Sequence, residues 1–261
     1  MTVHEPNLGN RVRVCNRAYA SYSRGFKSGV YNLTNPLDPV VEPEKLDAYE
    51  VGFKSELFDR TLRINAAAFY YKYSNIQLTI IKGGAQTLIN AAKAEVKGAE
   101  AEMEWAPVSG LLFHGGMQYI DGEYTDFPLT PVTTLNPTFP FGVTTTPTAT
   151  KGLPLIRSPK FSANASVDYS VPVGSSELGF NVSYQYSGSF AFEPDGRLKQ
   201  PSYSLVNGSV RLKVDDAFTV RLWGRNLFDK RYYIQKTSTF LGDLQNPGLG
   251  RQYGVSVGYE F

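Results

Sequence analysis

Few side chains in this chain have the type and spacing to do chemistry. The two histidines, His4 and His114, are 110 positions apart, and the only cysteine is Cys15. A nucleophile–base–acid constellation or a zinc site draws on more such residues than this, so hydrolase and metal-centre chemistry have no support, and no resident cofactor is expected. A single cysteine also forms no internal disulfide. Glu100, Glu102 and Glu104 occupy alternate positions, a spacing that puts three carboxylates on one face of a strand. Such a row either steers a cationic partner or is neutralised by arginines and lysines on the neighbouring strands; neutralisation is the expectation. Asp215–Asp216 reads as a tight turn, where Asp bonds its own backbone. Gly248, Gly250 and Gly254 miss the spacing of a nucleotide-binding loop. Asn164, Asn181 and Asn207 each open an N-x-S triplet but fall in mid-strand, which argues against glycosylation. No catalytic, cofactor-binding or metal-binding residue is assigned, and the ligand-binding residues are left open.

The elements that would carry these residues are strands. From Gln252 to the C-terminus, Tyr253, Val255, Val257, Tyr259 and Phe261 alternate with Gly254, Ser256, Gly258 and Glu260, a period of two with one apolar face. Phe161–Val171, Leu178–Tyr186, Val206–Val214 and Leu62–Tyr70 repeat the pattern, and His114 falls on the polar register of its own strand. About ten strands are expected. Leu57–Arg60, Pro107–Gly110, Pro172–Ser176 and Asp215–Asp216 read as tight turns. They alternate with long links at about Gly29–Lys45, Asn75–Leu88, Gly122–Ser158, Ala191–Gln200 and Ile234–Gly250. The uncharged, Thr- and Pro-rich segment Pro128–Thr150 is expected to be an exposed loop, since proline removes ladder donors.

Composition narrows the class. Tyr and Phe number 17 and 16 against 2 Trp, mean hydropathy is −0.26, and net charge is +2. No run reaches the roughly 18 apolar residues of a membrane helix, whereas a barrel needs apolar residues only at alternate positions. Charges are scattered, so nucleic acid is not an expected partner. Short turns alternating with long loops are the habit of transmembrane barrels, with lipid on the apolar face and aromatic girdles at the interfaces.

Several strings are also familiar. YASYSRGFKSGVYN (Tyr19–Asn32), YEVGFKSELFDRTLRINAAAFYYKYSNIQL (Tyr49–Leu78), NAAKAEVKGAEAEMEW (Asn90–Trp105), PSYSLVNGSVRLK (Pro201–Lys213), WGRNLFDKRYY (Trp223–Tyr233) and the terminal strand ending in Phe261 follow in order. Together they resemble the C-terminal part of the barrel of TonB-dependent outer-membrane receptors, over about Arg17–Phe261. The resemblance implies an all-β, antiparallel transmembrane segment, about ten strands of a 22-stranded, plugged barrel. It further implies uptake of a ferric siderophore or another scarce nutrient across the outer membrane of a Gram-negative bacterium, with outer-membrane lipid and the TonB complex as partners and no enzymatic activity. Residues 1–16 do not resemble the family, and neither a signal peptide nor the plug is recognisable. The expectation is a truncated or frame-shifted reading frame joined to family sequence near Arg17, with residues 17–261 forming barrel; the alternative for 1–16 is an ordinary disordered terminus. Two rival functions remain open: a self-contained small barrel acting as porin or adhesin, closed by pairing Tyr19–Phe26 with the last strand, and a soluble carbohydrate-binding β-sandwich.

Overall fold

The computed structural model describes residues 15–31, 39–82, 85–138, 141–215, 217–239 and 241–260. His4, Asp216, Phe261 and residues 1–14 therefore lie outside the described residues, while Cys15 and Asn16 open the first strand. Twelve strands join in one sheet, and ten of them form a continuous antiparallel path. Numbered along the chain, these ten are β1 (Cys15–Lys27), β2 (Glu44–Leu57), β3 (Leu62–Lys82), β4 (Ala85–Val108), β5 (Leu111–Asn136), β6 (Phe161–Val173), β7 (Ser176–Ser187), β8 (Tyr203–Val214), β9 (Phe218–Arg225) and β10 (Gln252–Tyr259). Each pairs with its sequence neighbour, the simplest up-and-down order. Among the described residues β1 and β10 do not pair with one another, so the small closed barrel is not the arrangement seen.

The period of two holds across the whole sheet. One unbroken row runs Phe53, Ala66, Ala101, Met117, Ala163 and Tyr186 through six strands. On this apolar face Val51, Val182, Leu222 and Val255 are more than half exposed. Aromatic rings border it at both ends. Tyr22, Tyr49 and Tyr70 stand in line on one side, with centroids 5.0 and 6.3 Å apart. On the other, Trp105 stacks on Phe113 at 5.4 Å and Tyr169 faces Phe180 at 6.5 Å. On β5 and β10 the two borders are six residues apart, about 20 Å along a strand. An exposed apolar belt between aromatic borders is a face made for lipid rather than for water.

The opposite face is polar and is kept clear by glycines. Tyr19 pairs with Gly52, Phe69 with Gly98 and Trp223 with Gly254. In each pair the ring lies across the neighbouring glycine, and a Cβ there would meet the ring. The glycine lets a large side chain lie flat along the wall instead of projecting from it.

The four expected tight turns are present between β2 and β3, β4 and β5, β6 and β7, and β8 and β9. The long links differ from expectation. Pro128–Thr150 is not a loop: β5 runs to Asn136 and pairs with a strand at Gly142–Thr150. Pro131 sits opposite Pro147 in this ribbon, and Pro128 falls in the register break between Phe127 and Thr130. Proline is tolerated where its missing N–H would face away from the partner strand or at a bulge, while the flanking Thr and Val favour extended backbone. The link at Asn75–Leu88 is likewise strand. After a bulge at Tyr73–Ile76, with Asn75 at φ +57°, β3 and β4 continue paired to Lys82 and Ala85. Ile234–Gly250 contains a hairpin of Tyr233–Thr239 with Gly242–Pro247. Ala191–Gln200 begins and ends in a two-residue ladder. Among the described residues of 29–43, the bridge Val30–Val41 precedes β2.

Gly98→Val tests the flat-ring device. Its Cβ would lie 2.7 Å from Phe69 Cζ and closer still to the Tyr119 carbonyl, so overpacking should cost about 1–3 kcal/mol. The measurement is the urea midpoint of the detergent-folded chain. Adding Phe69→Ala should recover only the part owed to the ring, because the carbonyl clash stays.

Candidate functional site

The site is built where the strands outrun the apolar belt. On the polar face Phe69 stacks on Tyr71 at 4.7 Å, and above them Tyr73, Ile76 and Leu78 meet Ala92, Ala94, Tyr124 and Phe127. Ala94, Tyr124 and Phe127 are among the most buried side chains described. Leu153 and Leu155 close this cluster from the β5–β6 link. Below it an aromatic-walled recess opens between Tyr71, Val96 and Ile156, with Glu44, Glu100 and Gln118 at its edge. Such a recess suits a flat, partly apolar ligand held by a few polar groups. Gln77 fixes its outer lip: its amide nitrogen donates to the Ser28 and Glu42 carbonyls at 2.9 and 3.0 Å. Asn75 and Asn90 also bond Glu42.

The remaining links are tied into one platform. Arg197 donates to both oxygens of Asp243, at 2.6 and 2.7 Å, and also to the Ser238 hydroxyl. Glu193 accepts from the Ser238 amide at 2.7 Å and from its hydroxyl at 2.9 Å. Asp195 accepts from the Thr133 amide at 3.0 Å, and the Gln200 side chain accepts from the Tyr233 amide at 2.8 Å. Thus the link at 188–202 joins the β5 ribbon to the hairpin at 233–247. The hydrogen bonds from Arg197 hold the Asp243 carboxyl below the usual carboxylate range.

The string WGRNLFDKRYY proves to be structural. Asn226, 5% exposed and at φ +50°, sits where β9 leaves the sheet. Its side-chain amide donates to the Lys230 and Leu249 carbonyls and accepts from the Lys230 amide, while its own amide donates to Asn207 Oδ1. Asp229 Oδ1 accepts from the Arg251 amide at 2.9 Å. Tyr232 stacks on Tyr203 at 4.9 Å and lies on Gly248. The string ties the end of β9 to the start of β10.

Chain similarity now gives this geometry a setting. The family described as TonB dependent receptor-like, beta-barrel, matches residues 6–227. The chain belongs to that family. It is 25% identical over 248 residues to the pesticin receptor of Yersinia enterocolitica, covering 94% of this chain and 34% of that protein. It is 27% identical over 249 residues to the ferric-pyoverdine M114 receptor PbuA of a Pseudomonas strain, covering 88% and 26%. The crystal structure of the ferric yersiniabactin uptake receptor FyuA from Yersinia pestis matches with a TM-score of 0.77 at 22% identity, over 94% of this chain and 35% of that one. The siderophore receptor PiuA from Acinetobacter baumannii matches at 0.70 and 20% identity, over 94% and 34%. The chain thus spans about a quarter to a third of the length of these relatives. It is an antiparallel segment of a transmembrane barrel of that family, with an apolar face suited to lipid and a polar face toward the lumen.

Within that frame the sequence-predicted residues sort clearly. His114 faces the lumen, its Nδ1 3.7 Å from Glu104. Of the glutamate row only Glu104 meets a basic side chain, with Arg63 at 3.5 Å and the His114 ring beside it at 3.7 Å. Glu100 and Glu102 have no basic partner among the described residues, so neutralisation by neighbours holds for one of the three. Asp215 forms its turn at φ +49°. Asn181 and Asn207 bond Asp168 and Ser183 on the lumen wall. Gly254 lies beneath Trp223. Among the described residues no group of three or more His, Cys, Asp or Glu could hold a metal ion. Sequence reasoning missed Glu193, Asp195 and Arg197; the turn signal Pro194-Asp195-Gly196 with charges on both sides was the available clue.

Two outcomes follow. Asn226→Ala removes three side-chain hydrogen bonds and should cost about 2–4 kcal/mol at roughly 1 kcal/mol each. Asn226→Asp keeps the acceptor but loses both donors and should cost about two-thirds of that, both read from urea midpoints. The Asp243 carboxyl is depressed in the folded state, so the loop clamp is fully present above the ordinary aspartate value of about 3.9 and is lost as pH falls through the depressed folded value. Limited proteolysis should therefore leave the hairpin at 233–247 uncut at neutral pH and cut it in strong acid. Arg197→Ala should expose it already at pH 7.

Proposed function

We propose that this chain forms part of the wall and outer loops of an outer-membrane receptor that takes up a siderophore-type iron complex. The observation that carries the reading is the aromatic-walled recess of Tyr71, Val96 and Ile156, set at the outer end of a wall that belongs to the TonB-dependent receptor barrels. Relatives are named as ferric-pyoverdine and siderophore receptors, which supports an iron chelate over other scarce nutrients, and as receptors rather than enzymes. In this reading the loop platform captures the complex, and the recess holds its flat, apolar parts. Passage follows along the polar lumen face once a plug inside the barrel rearranges, with energy drawn from the TonB complex through the plug region. The lipid of the outer membrane covers the apolar belt, and nucleic acid has no part. A self-contained porin or adhesin is less well supported, because β1 and β10 do not meet.

The reading is tested in cells that produce the polypeptide carrying this chain. It should fractionate with the outer membrane, and uptake of radioactive iron as a siderophore complex should depend both on it and on TonB. Uptake unchanged when either is removed would overturn the proposal. Tyr71→Ala should weaken ligand uptake several-fold while leaving the amount of protein in the membrane unchanged.

A further inference from the structure

The lumen face is divided by charge. On β2 and β4 it carries Glu50, Glu56, Glu100, Glu102 and Glu104, against Lys54 there and Arg63 between them on β3. On β8 and β9 it carries Arg211, Lys213, Arg221 and Arg225, and β10 beside them offers only Gln252, Gly254, Ser256 and Gly258 over the paired length. Arg211 lies directly opposite Arg221 in the ladder. Like charges so placed repel unless something anionic lies between or beside them. Glu177 satisfies Arg211 at 2.5 Å. Asp168 is held by the Asn181 amide at 2.7 Å. Arg221 and Arg225 have no carboxylate partner among the described residues. Four positions along β9, Arg225 holds its guanidinium 5.3 Å from the ring centre of Trp223, whose indole N–H donates to Ser256. At the turn end an open depression of about 780 Å³ is lined by Ser209, Asn181 and both opposed arginines.

We infer that Arg221, Trp223 and Arg225, with Arg211 beside them, form a binding track for a small ligand whose negative charge is carried by carboxylates. The inference deepens the uptake reading, rests on it, and assigns the cargo to the anionic chelates. Guanidinium groups present paired N–H donors that match a carboxylate's two oxygens. Two of them on one strand face, about 13 Å apart at 3.3 Å per residue, offer successive holds rather than one trap. The flat Trp223 ring, lying over Gly254, leaves the path between them open. The charge left over on Arg221 and Arg225 is what an arriving carboxylate neutralises.

Trp223 is also the reporter. Trp105→Phe leaves it as the sole tryptophan of the two in this chain, and any tryptophan elsewhere in the polypeptide that carries the chain is replaced by Phe as well. Fluorescence of this protein in detergent is titrated with ferric citrate, an anionic carboxylate chelate, and separately with an uncharged ferric trishydroxamate. Quenching by ferric citrate should saturate, and the uncharged complex should quench only linearly. Arg221→Gln with Arg225→Gln should raise the half-saturating concentration by about tenfold or more, the loss of one or two charge-assisted hydrogen bonds. Should that variant fail to keep its strand circular dichroism, Arg225→Lys serves instead. It retains charge without the fork and should weaken binding several-fold. Saturation by both chelates alike, no saturation by ferric citrate, or unchanged affinity in the folded variant would each overturn the track. Failure of iron uptake with saturable quenching intact would instead remove the receptor reading and leave the site.

Discussion

In a bilayer no water reaches the backbone, so every N–H and C=O along the wall must be paired by a neighbouring strand. The rest of this structure follows from that constraint. It joins the ten strands in one continuous path from β1 to β10, and it couples neighbouring side chains through register. A slip of one residue in any pair would carry Val255 and Val257 into the lumen and Ser256 into lipid. Register is therefore held by two faces at once. Interruptions of the ladder lie toward the strand ends, at Tyr73–Ile76 and Lys93–Ala94 on one side and at Trp105–Val108 beside the tight turn on the other, where the chain can reach water or other loops.

Once register is set, the polar face has a space problem of its own. A barrel wall whose inward residues were all large would fill its lumen. Glycine opposite an aromatic residue settles this in β1–β2, β3–β4 and β9–β10: the ring covers the bare backbone of its neighbour and adds little height. The same arrangement leaves Trp223 flat between two arginines. A structural device of the wall thus also shapes the surface along which a ligand would travel.

Much of the wall was legible because a period of two survives translation into structure almost unchanged. Phe161–Val171 and Leu178–Tyr186 face lipid as their alternation implied, and the tight turns fall at Gly110, Gly174 and Asp215, where positive φ is needed. The outer ends were not legible for the same reason. Beyond the belt neither face meets lipid, so β5 past Asp126 loses its alternation while remaining a strand, and prolines at 131 and 147 read as breakers although the register accommodates them. Glutamates at 100, 102 and 104 were visible as a row, but only Glu104 meets a basic side chain, because Arg63 lies opposite that position and Asn65 and Ala67 lie opposite the others. The loop clamp joins residues 46 positions apart, Arg197 and Asp243, and no local pattern encodes such a pairing.

The string NLFDKRYY illustrates what a family signature can encode. Its asparagine tolerates left-handed backbone at 226, bonds the following turn and the residue before Gly250 from its side chain, and reaches the Asn207 side chain of β8 through its own amide. Its Asp229 then receives the returning strand at Arg251. β9 leaves the sheet at a sharp corner, and β10 must return 26 positions later in the one register that puts Tyr253 in lipid and Gly254 beneath Trp223. A cluster of side-chain bonds at that corner confines both ends of the excursion, so the hairpin between them is free to differ in shape without disturbing the wall. The shape of the loop can then change while the register of the wall is kept, because the two are separated at Asn226.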